Sequence, residues 1–269
     1  MAELFDRGSG YTLIGMVHVG ALPGTPGSSR SVDELAQQAR IEAEILEQAG
    51  FDAVILENMH DTPYVHGDEL GPEITAAMTR VVAEVRQAVT LPMGVQVLSG
   101  GNRQALAIAM AAGCSFIRCE CFAYAHVADE GLLPRAEAGA LLRYRRQIGA
   151  EHIAVLADIK KKHASHALTA DLSIADIAVG SEFFGADGLI VTGAFTGAAA
   201  AADDLDAVSK ASSLPVLVGS GVEPGQIEAL ASRSWGAIVG SWIKRGGRWT
   251  NPVDEGRAAE LVAEARRLG

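Results

Sequence analysis

Short apolar runs alternate with longer amphipathic segments along almost the whole chain. Each run has four to seven residues, is rich in Val, Ile and Leu, and is bounded by Gly, Pro or polar residues, which predicts buried β-strands. The segments between the runs are rich in Ala, Glu and Leu and predict helices. In the first of them, Ser31 and Glu34 form a capping box and Gly50 ends the helix. The predicted strands are 12–17, 53–57, 93–98, 116–120, 153–159, 188–191, 216–219 and 237–240.

Eight strands alternating with helices, at about 32 residues per unit, match a (β/α)₈ TIM barrel. An open doubly wound sheet is the rival arrangement, but it carries a G-x-G-x-x-G phosphate loop after its first strand. Here the first strand runs into VHVGALPGTPG instead, and no linker or low-complexity segment interrupts the chain. We therefore predict an α/β protein in which residues 1–269 form a single TIM-barrel domain.

Small residues follow the seventh and the eighth strand. In TIM barrels the loops after these two strands commonly bind phosphate, because backbone N–H groups without bulky neighbours can approach an anion. Glycine also ends strands for purely local reasons, so one such turn alone would be weak evidence. Two adjacent turns favour a phosphate ligand, to which we assign Gly193, Gly219, Ser220, Gly221, Gly240 and Ser241.

Polar residues interrupt the apolar strands at positions that should face the barrel lumen. Alternate residues of a barrel strand face the helices or the lumen, and the helix-facing ones must be apolar. A purely structural lumen would hold Val, Ile and Leu, and burying ionisable groups is costly unless they pair or serve function. We assign catalysis to Asp158, Glu57, Glu120, Lys160 and His18, and substrate binding to Gln96, Arg118, Asn58 and His163.

Structural alternatives stay open for several of these residues. Arg118 with Glu120, or Asp158 with Lys160, would also form ion pairs that close the lumen, and His18 would fit as a core histidine. Lys160 could form a Schiff base, but the neighbouring Asp158 and the run of three lysines favour anion binding or pairing. No cofactor is assigned. A divalent metal such as Mg²⁺ is an alternative, because suitable oxygen and nitrogen ligands occur in Glu57, Glu120, Asp158 and His163.

Composition narrows the classes of partner. The net charge is −11 and the only dense basic stretch, IKKKHASH, is short, which argues against nucleic acid as a partner. No apolar run reaches the roughly 18 residues of a membrane span and no signal pattern opens the chain, so we expect a soluble, cytoplasmic protein. The three cysteines, Cys114, Cys119 and Cys121, have no zinc-site spacing and predict buried thiols.

The loop after the fourth strand, FAYAHVADEGLLPRA, is long and carries His126, Asp129 and Glu130. Its length indicates either a lid or a contact between subunits, and we expect a homo-oligomer. The chain has no nucleophile elbow, Walker loop, H-E-x-x-H or kinase signature.

Several blocks resemble the BtpA/SgcQ family in order along the chain. They are IGMVHVGALPGTPG, AVILENMHDTPY, FIRCECFAYAHVADEGLL, LADIKKKHA, GLIVTGAFTG and VLVGSGV with AIVGSWIK. The blocks around His18, Glu57-Asn58 and 158–163 are the specific ones.

The resemblance implies a TIM barrel of the ribulose-phosphate-binding type. One branch of the family is named for photosystem I biogenesis and another from sugar-utilisation operons. Some relatives are expected to carry Asn at the position of Glu120, so that glutamate has no fixed role in the family.

Two functions follow as hypotheses. The first is an enzyme acting on a phosphorylated sugar or nucleoside-like phosphate, in which binding the phosphate orients the reacting bonds and a carboxylate with a shifted pKa transfers protons. An isomerase, a lyase or aldolase, or a glycosidic cleavage would fit. The second is a non-catalytic biogenesis or stability factor for a membrane protein complex. The polar lumen favours the enzyme, because a scaffold gains nothing from it.

Overall fold

The computed structural model describes residues 10–193 and 195–268, and these form a closed barrel of eight parallel strands. The predicted (β/α)₈ TIM barrel is confirmed. The first and last strands close it, with Thr12 paired to Gly236 and Gly15 paired to Val239. In order around the barrel the strands are β1 (Thr12–His18), β2 (Ala53–Glu57), β3 (Met93–Gln96), β4 (Phe116–Cys119), β7 (Ala154–Ile159), β9 (Gly188–Val191), β10 (Val216–Val218) and β11 (Gly236–Val239).

Helices follow the barrel strands and cover them on the outside. The capping box at Ser31 and Glu34 is present, and Gly50 ends the first helix in a left-handed conformation with φ of 94°. This agrees with the sequence because only glycine adopts that conformation without strain. The helices are α1 (Val32–Ala49), α2 (Pro72–Ala88), α3 (Asn102–Ala112), α4 (Ala138–Gln147), α5 (Ile174–Phe183), α6 (Ala202–Ala211), α7 (Ile227–Ala231) and α8 (Glu255–Arg266).

The long loop after β4 folds into part of a second, small sheet. Its strands β5 (His126–Ala128) and β6 (Gly131–Leu133) form an antiparallel hairpin, and β8 (Ala164–Ser165), from the loop after β7, pairs with β5. The sequence did not predict these strands, because two or three residues are too few to show an alternating pattern. The hairpin places acidic residues over the mouth of the barrel.

Alternating strand residues divide the apolar core into two layers. Ile117, Cys119 and Val155 belong to the large cluster packed against the helices, whereas Phe116 and Leu156 belong to the lumen. Arg118 and Asp158 share the parity of the lumen residues, as predicted. All three cysteines are buried free thiols, in agreement with the sequence.

Several predicted strands extend beyond the observed ones. Leu98, Glu120, Gly219 and Gly240 lie just after their strands, in the loops that form the mouth. Inter-strand pairing ends there because the backbone turns away from its neighbour toward the following helix. These residues therefore lie where TIM barrels carry their functional groups.

Gly94 provides a test of lumen packing. A Cβ atom at this position would overlap the ring of Phe116, which is fully buried, whereas a Cβ at Gly225 would meet no atom within 4 Å. We expect Gly94→Ala to lower the free energy of unfolding by about 1–3 kcal/mol, as overpacking does. Gly225→Ala should change it by less than about 0.5 kcal/mol. Urea unfolding of both variants gives the comparison, and equal stabilities would contradict this packing.

Candidate active site

A polar cleft opens at the carboxyl ends of the barrel strands and has two connected lobes. The wide lobe is a cavity of about 250 Å³ beside β3, β4 and β7, and the narrow lobe lies over the turns after β10 and β11. The connection matters because a ligand could place one end in each lobe. The residues that line both lobes are Glu57, Met59, Arg118, Lys162 and Thr196.

A buried ion pair crosses the floor of the cleft from β4 to β7. Arg118 donates from Nε to one oxygen of Asp158 at 2.8 Å and from an Nη to the other at 2.9 Å. Their side chains are 3% and 1% exposed, so water does not screen this bidentate contact. Asp158 thus pairs with Arg118 and not with Lys160, and the alternative of an Asp158–Lys160 pair is wrong.

Glu120 is also fully engaged. It accepts hydrogen bonds from Lys161 at 3.0 Å and from the Gly100 N–H at 2.8 Å, and the Ser99 hydroxyl lies 3.2 Å from it. Burial acts to raise the pKa of Glu120, but the Lys161 ammonium and the Gly100 amide outweigh it and lower that pKa. Glu120 is therefore ionised and pairs with Lys161. The alternative of an Arg118–Glu120 ion pair is wrong.

The hairpin of the small sheet joins the same network through Glu130. This carboxylate contacts Lys161 at 3.4 Å and accepts a hydrogen bond from Ser99. Lys161 thus lies between two glutamates, and their charges raise its pKa against the opposing effect of burial. The network fastens the small sheet to the barrel mouth.

Among the described residues, the side chain of Glu57, at the end of β2, accepts no hydrogen bond. The Nε2 of His18 lies 3.8 Å from a Glu57 oxygen. Burial raises the pKa of Glu57, although the nearby charges of Lys162 and Arg118 oppose this rise. A desolvated carboxyl group that faces a cleft is suited to general acid–base chemistry.

His18 is held in one neutral form. Its Nδ1 lies 3.0 Å from the carbonyl oxygen of Trp249, and because a carbonyl can only accept, Nδ1 carries the hydrogen. Burial, and then the charge of Lys244, lowers the pKa of His18 well below its usual value. The Nε2 lone pair is consequently directed toward Glu57.

Lys162 is a site residue that the sequence reasoning missed. Its side chain lines both lobes, and within residues 10–193 and 195–268 its Nζ has no hydrogen-bond or ion-pair partner. Burial, and then the neighbouring Arg118 charge, lowers the pKa of Lys162, while Glu57 opposes this effect. The run of three lysines was the available signal, but it did not show which of them enters the cleft.

The prediction that Lys160 points into the lumen is wrong. Its ammonium donates to the Leu172 carbonyl at 3.2 Å, and its side chain lines a neighbouring groove beside the small sheet and not the cleft. Lys160 has a positive φ of 49°, which breaks the alternation of the strand one residue after Ile159. The two following lysines turn inward instead.

The turns after β10 and β11 line the narrow lobe, as predicted for a phosphate site. In the described part of the chain, no acceptor is present for the N–H groups of Ser220, Gly221, Gly240 and Ser241. Two of the assigned glycines already use their N–H groups within the protein. The Gly219 N–H donates to the Val191 carbonyl at 2.8 Å, and the Gly193 N–H donates to the Ser220 hydroxyl at 2.7 Å. Gly193 lines the groove on the other side of its loop and not the cleft.

Gly221 and Ser220 also hold the loop that follows β9. The Ser220 hydroxyl donates to the Ala198 carbonyl at 2.8 Å, so its hydrogen is already used. Gly221 has φ of 65°, and a Cβ there would overlap the backbone of Ala198 and Ala199. Glycine is therefore required at 221 by loop packing, whether or not an anion binds.

The remaining assigned residues occupy different places. Gln96 lines the wide lobe, and its buried Oε1 has no donor within the described residues. His163 lies at the rim, where its Nε2 accepts from the Thr196 N–H at 3.2 Å and its Nδ1 faces Asp129 at 3.4 Å. Asn58 does not line the cleft, because it is fully buried and its amide bridges Asp61 and the backbone of Leu98.

Other lining residues come from loops that gave no sequence signal. They include Thr196 after β9, Trp249 after β11 and Tyr64 after β2, whose hydroxyl donates to the Met59 carbonyl. Their backbone path is set by tertiary packing and not by a local pattern.

A divalent cation such as Mg²⁺ stays a prediction, and the carboxylates assigned to it are largely engaged by cations. Among the described residues no three His, Cys, Asp or Glu side chains converge on one point. Arg118 and Lys161 occupy the carboxylates of Asp158 and Glu120, which were two of the four candidate ligands.

None of the helices in residues 10–193 and 195–268 has the length and apolar character of a membrane span.

Comparison with known proteins identifies similar chains. Residues 10–267 match the model described as the BtpA family. The chain is 42% identical over 95% of its length to an uncharacterized mitochondrial protein of Caenorhabditis elegans, covering 93% of that protein. It is 34% identical over 93% of its length to the photosystem I biogenesis protein BtpA of Synechocystis, covering 86% of it.

Solved structures resemble the fold at low sequence identity. Thiamine phosphate pyrophosphorylase from Pyrococcus furiosus has a TM-score of 0.60 at 13% identity, with 96% of each chain covered. N-(5′-phosphoribosyl)anthranilate isomerase from the same organism has a TM-score of 0.58 at 12% identity, with 96% of this chain and 100% of that chain covered. At these identities the likeness supports the barrel fold alone.

Asp158→Asn tests the role of the floor ion pair. Removing the carboxylate charge leaves Arg118 buried without a counter-charge, so we expect the free energy of unfolding to fall by about 3–5 kcal/mol. Glu151→Gln is the matched control, because the Arg146–Glu151 pair is 83% and 42% exposed and should contribute less than about 1 kcal/mol. Urea unfolding measures both, and an unchanged stability of Asp158→Asn would refute a structural role for this pair.

Glu57 should give the stability of the protein a distinct pH dependence. Its folded-state pKa is raised above the unfolded value of about 4.3, so the folded state binds more protons between these two values. The contribution of Glu57 is therefore complete below about pH 4.3 and is lost as the pH rises through the folded-state pKa. The unfolding free energy of the wild type minus that of Glu57→Gln should fall over this window in chemical denaturation. A difference that rises with pH would show that the Glu57 pKa is lowered instead.

Proposed function

This chain belongs to the BtpA family, and we propose that it is an enzyme that acts on a small phosphorylated substrate by carboxylate acid–base chemistry. The observation that carries the proposal is one continuous cleft with two kinds of unsatisfied group. The N–H groups of Ser220, Gly221, Gly240 and Ser241 line the narrow lobe and have no acceptor among the described residues, and Glu57 and Lys162 face the junction with the wide lobe.

The narrow lobe fits a phosphate ester. The N–H groups of Ser220, Gly221, Gly240 and Ser241 come from two adjacent turns, and the positive charges of Arg118 and Lys162 line the same lobe. Backbone N–H groups and a nearby cation together match the charge and the several acceptor oxygens of a phosphate. Phosphate binding here would orient the rest of the substrate toward the wide lobe.

The acid–base step is assigned to Glu57 with His18. Glu57 faces the substrate space, and the Nε2 of neutral His18, 3.8 Å away, can accept a proton from it or return one. Asp158 and Glu120 are assigned to positioning, because cations and amides already occupy their oxygens. This division supports an isomerase, a lyase or aldolase, or a glycosidic cleavage acting on a sugar phosphate or nucleoside-like phosphate.

Two structural neighbours are consistent with this proposal. The names of thiamine phosphate pyrophosphorylase and N-(5′-phosphoribosyl)anthranilate isomerase each contain a phosphate ester. Both share the barrel fold, in which the loops after the last two strands commonly bind phosphate. The analogy extends to the class of ligand and not to a reaction.

Assembly of a protein complex is the second candidate function. One relative is named a photosystem I biogenesis protein, and apolar side chains are exposed at the end of α5 and just after it, with Phe183 84% and Phe184 54% exposed. Such a surface would suit a protein partner. The cleft favours the enzyme, because Lys162, without a partner in residues 10–193 and 195–268, lowers stability beside a desolvated glutamate and gives a scaffold no benefit.

Gly240→Ala tests the phosphate site without disturbing the loop that restricts Gly221. Its Cβ would project into the narrow lobe, 3.3 Å from His18 Nε2, and would contact no backbone atom among its nearest neighbours. We expect the variant to bind ribose 5-phosphate or inorganic phosphate about tenfold or more weakly, because the methyl group keeps the anion away from the backbone N–H groups and a hydrogen bond to a charged group is lost. Affinity for unphosphorylated ribose should change little. Isothermal titration calorimetry measures each.

Gly225→Ala is the control, because its Cβ meets no atom within 4 Å and Gly225 does not line the cleft. It should bind like the wild type. Equal losses for ribose and its phosphate in Gly240→Ala would refute the phosphate site. Failure of the wild type to bind any of a panel of sugar phosphates and nucleotides would favour the assembly function.

A further inference from the structure

We propose that Lys162 is a nucleophile that forms a Schiff base with the carbonyl carbon of a phosphorylated aldehyde or ketone bound in the cleft. This inference deepens the proposed function and rests on it, since the phosphate site supplies the substrate's position. The inference restricts the substrates to phosphate esters that carry a free or ring-opened carbonyl group.

The surroundings of the five lysines in the chain distinguish Lys162 from the others. Lys161 and Lys244 are buried and paired, with Nζ 3.0 Å from Glu120 and 2.7 Å from Glu42 respectively. Lys160 donates to a carbonyl, and Lys210 is exposed. Lys162 remains as the lysine whose amine faces a cavity without a partner among the described residues.

The fold holds Lys162 in place through its backbone. Its N–H donates to the Thr192 hydroxyl at 3.1 Å, which ties the loop after β7 to the end of β9. The side chain extends from this anchor to the junction of the two lobes. A substrate with its phosphate in the narrow lobe would therefore place its carbon skeleton beside the amine.

The electrostatic surroundings favour the reactive form of the amine. Only a neutral amine is a nucleophile, and desolvation or a neighbouring cation increases its population. Burial and the charge of Arg118 lower the pKa of Lys162. Arg118 remains charged and fixed there because Asp158 holds it at both oxygens.

Glu57 supplies the proton transfers that imine formation needs. The Lys162 nitrogen lone pair forms the C–N bond, while the carbonyl π electrons move to oxygen and that oxygen takes a proton from protonated Glu57. The Glu57 carboxylate takes a proton from the nitrogen and returns it to the hydroxyl, which leaves as water while the nitrogen lone pair forms the C=N bond. Glu57 then takes the remaining nitrogen proton, which leaves the neutral imine and restores the protonated carboxyl group. The sum is amine plus carbonyl giving imine plus water, and no oxidant or reductant is consumed.

The size of the cleft indicates a small substrate. The wide lobe encloses about 250 Å³, which is below the range of roughly 300–1,000 Å³ for pockets that hold drug-sized ligands. We therefore expect a short carbon chain of about three to five atoms in the wide lobe, with its phosphate at the turns of the narrow lobe.

Borohydride reduction tests the inference on the whole protein, because it converts a Schiff base into a stable secondary amine. The wild type is incubated with dihydroxyacetone phosphate, glyceraldehyde 3-phosphate, ribulose 5-phosphate and ribose 5-phosphate in turn, and then reduced. We expect at least one reduced adduct, located at Lys162 by fragment-ion mass spectrometry, which must resolve it from Lys160 and Lys161. The matching unphosphorylated sugar should give at least tenfold less adduct.

Lys162→Arg separates nucleophilic reaction from charge alone, because arginine keeps the cation but forms no such imine. We expect at least a hundredfold loss of adduct in this variant, with binding of the phosphorylated probe retained within a few-fold in calorimetry. Lys160→Arg is the matched control and should form adduct like the wild type. Equal adduct in Lys162→Arg would overturn the inference.

The inference and the proposed function fail in different ways. Calorimetric binding of these phosphates by the wild type, with no adduct at Lys162, would overturn the Schiff base and leave the phosphate-ester enzyme standing. Absence of binding by all four probes and by inorganic phosphate would overturn both.

Discussion

The buried pair of Arg118 and Asp158 is the constraint on which the rest of the site depends. A guanidinium and a carboxylate at the centre of a barrel would each incur a large desolvation cost, and the bidentate contact offsets it. With both oxygens of Asp158 committed, Arg118 still places a fixed positive charge beside Glu57 and Lys162. It opposes the rise of the Glu57 pKa and lowers the Lys162 pKa, so one structural pair adjusts both reactive candidates.

Ion pairs and hydrogen bonds also hold the surrounding loops together. Glu120, Lys161 and Glu130 satisfy one another and tie the hairpin to the barrel, and Ser220 links two further loops through Gly193 and Ala198. The polar groups that connect these loops therefore have their partners inside the protein. Within the described residues, the Oε1 of Gln96, the amine of Lys162 and the N–H groups of the last two turns have no hydrogen-bond partner and line one cleft, whereas the buried Nε2 of His126 lacks a partner outside it. Their shared position is the physical argument for a ligand.

Strand periodicity predicted the barrel and much of the cleft, because each barrel strand repeats the same two-residue alternation. It placed Gln96, Arg118 and Asp158 in the lumen, and Glu57 and His18 at the strand ends. It failed at Lys160, where a left-handed φ interrupts the alternation that the prediction assumed. It also could not find Thr196 or Trp249, since loops converge through tertiary packing. Asn58 was misplaced because an amide beside a strand end can brace two loops as readily as it can face a ligand.

Residues outside the lumen help to fix the protonation state of His18. Glu42, on α1, forms an ion pair with the fully buried Lys244 in the loop after β11, and 2.7 Å separates the carboxylate oxygen from Nζ. The same loop carries Trp249, whose carbonyl fixes the hydrogen of His18 on Nδ1 and whose ring packs against His60 and His18. The Lys244 charge then adds to burial in keeping His18 neutral. Closure of the barrel between its last and first strands brings this loop over β1, and so the same contact that completes the fold sets the proton acceptor opposite Glu57.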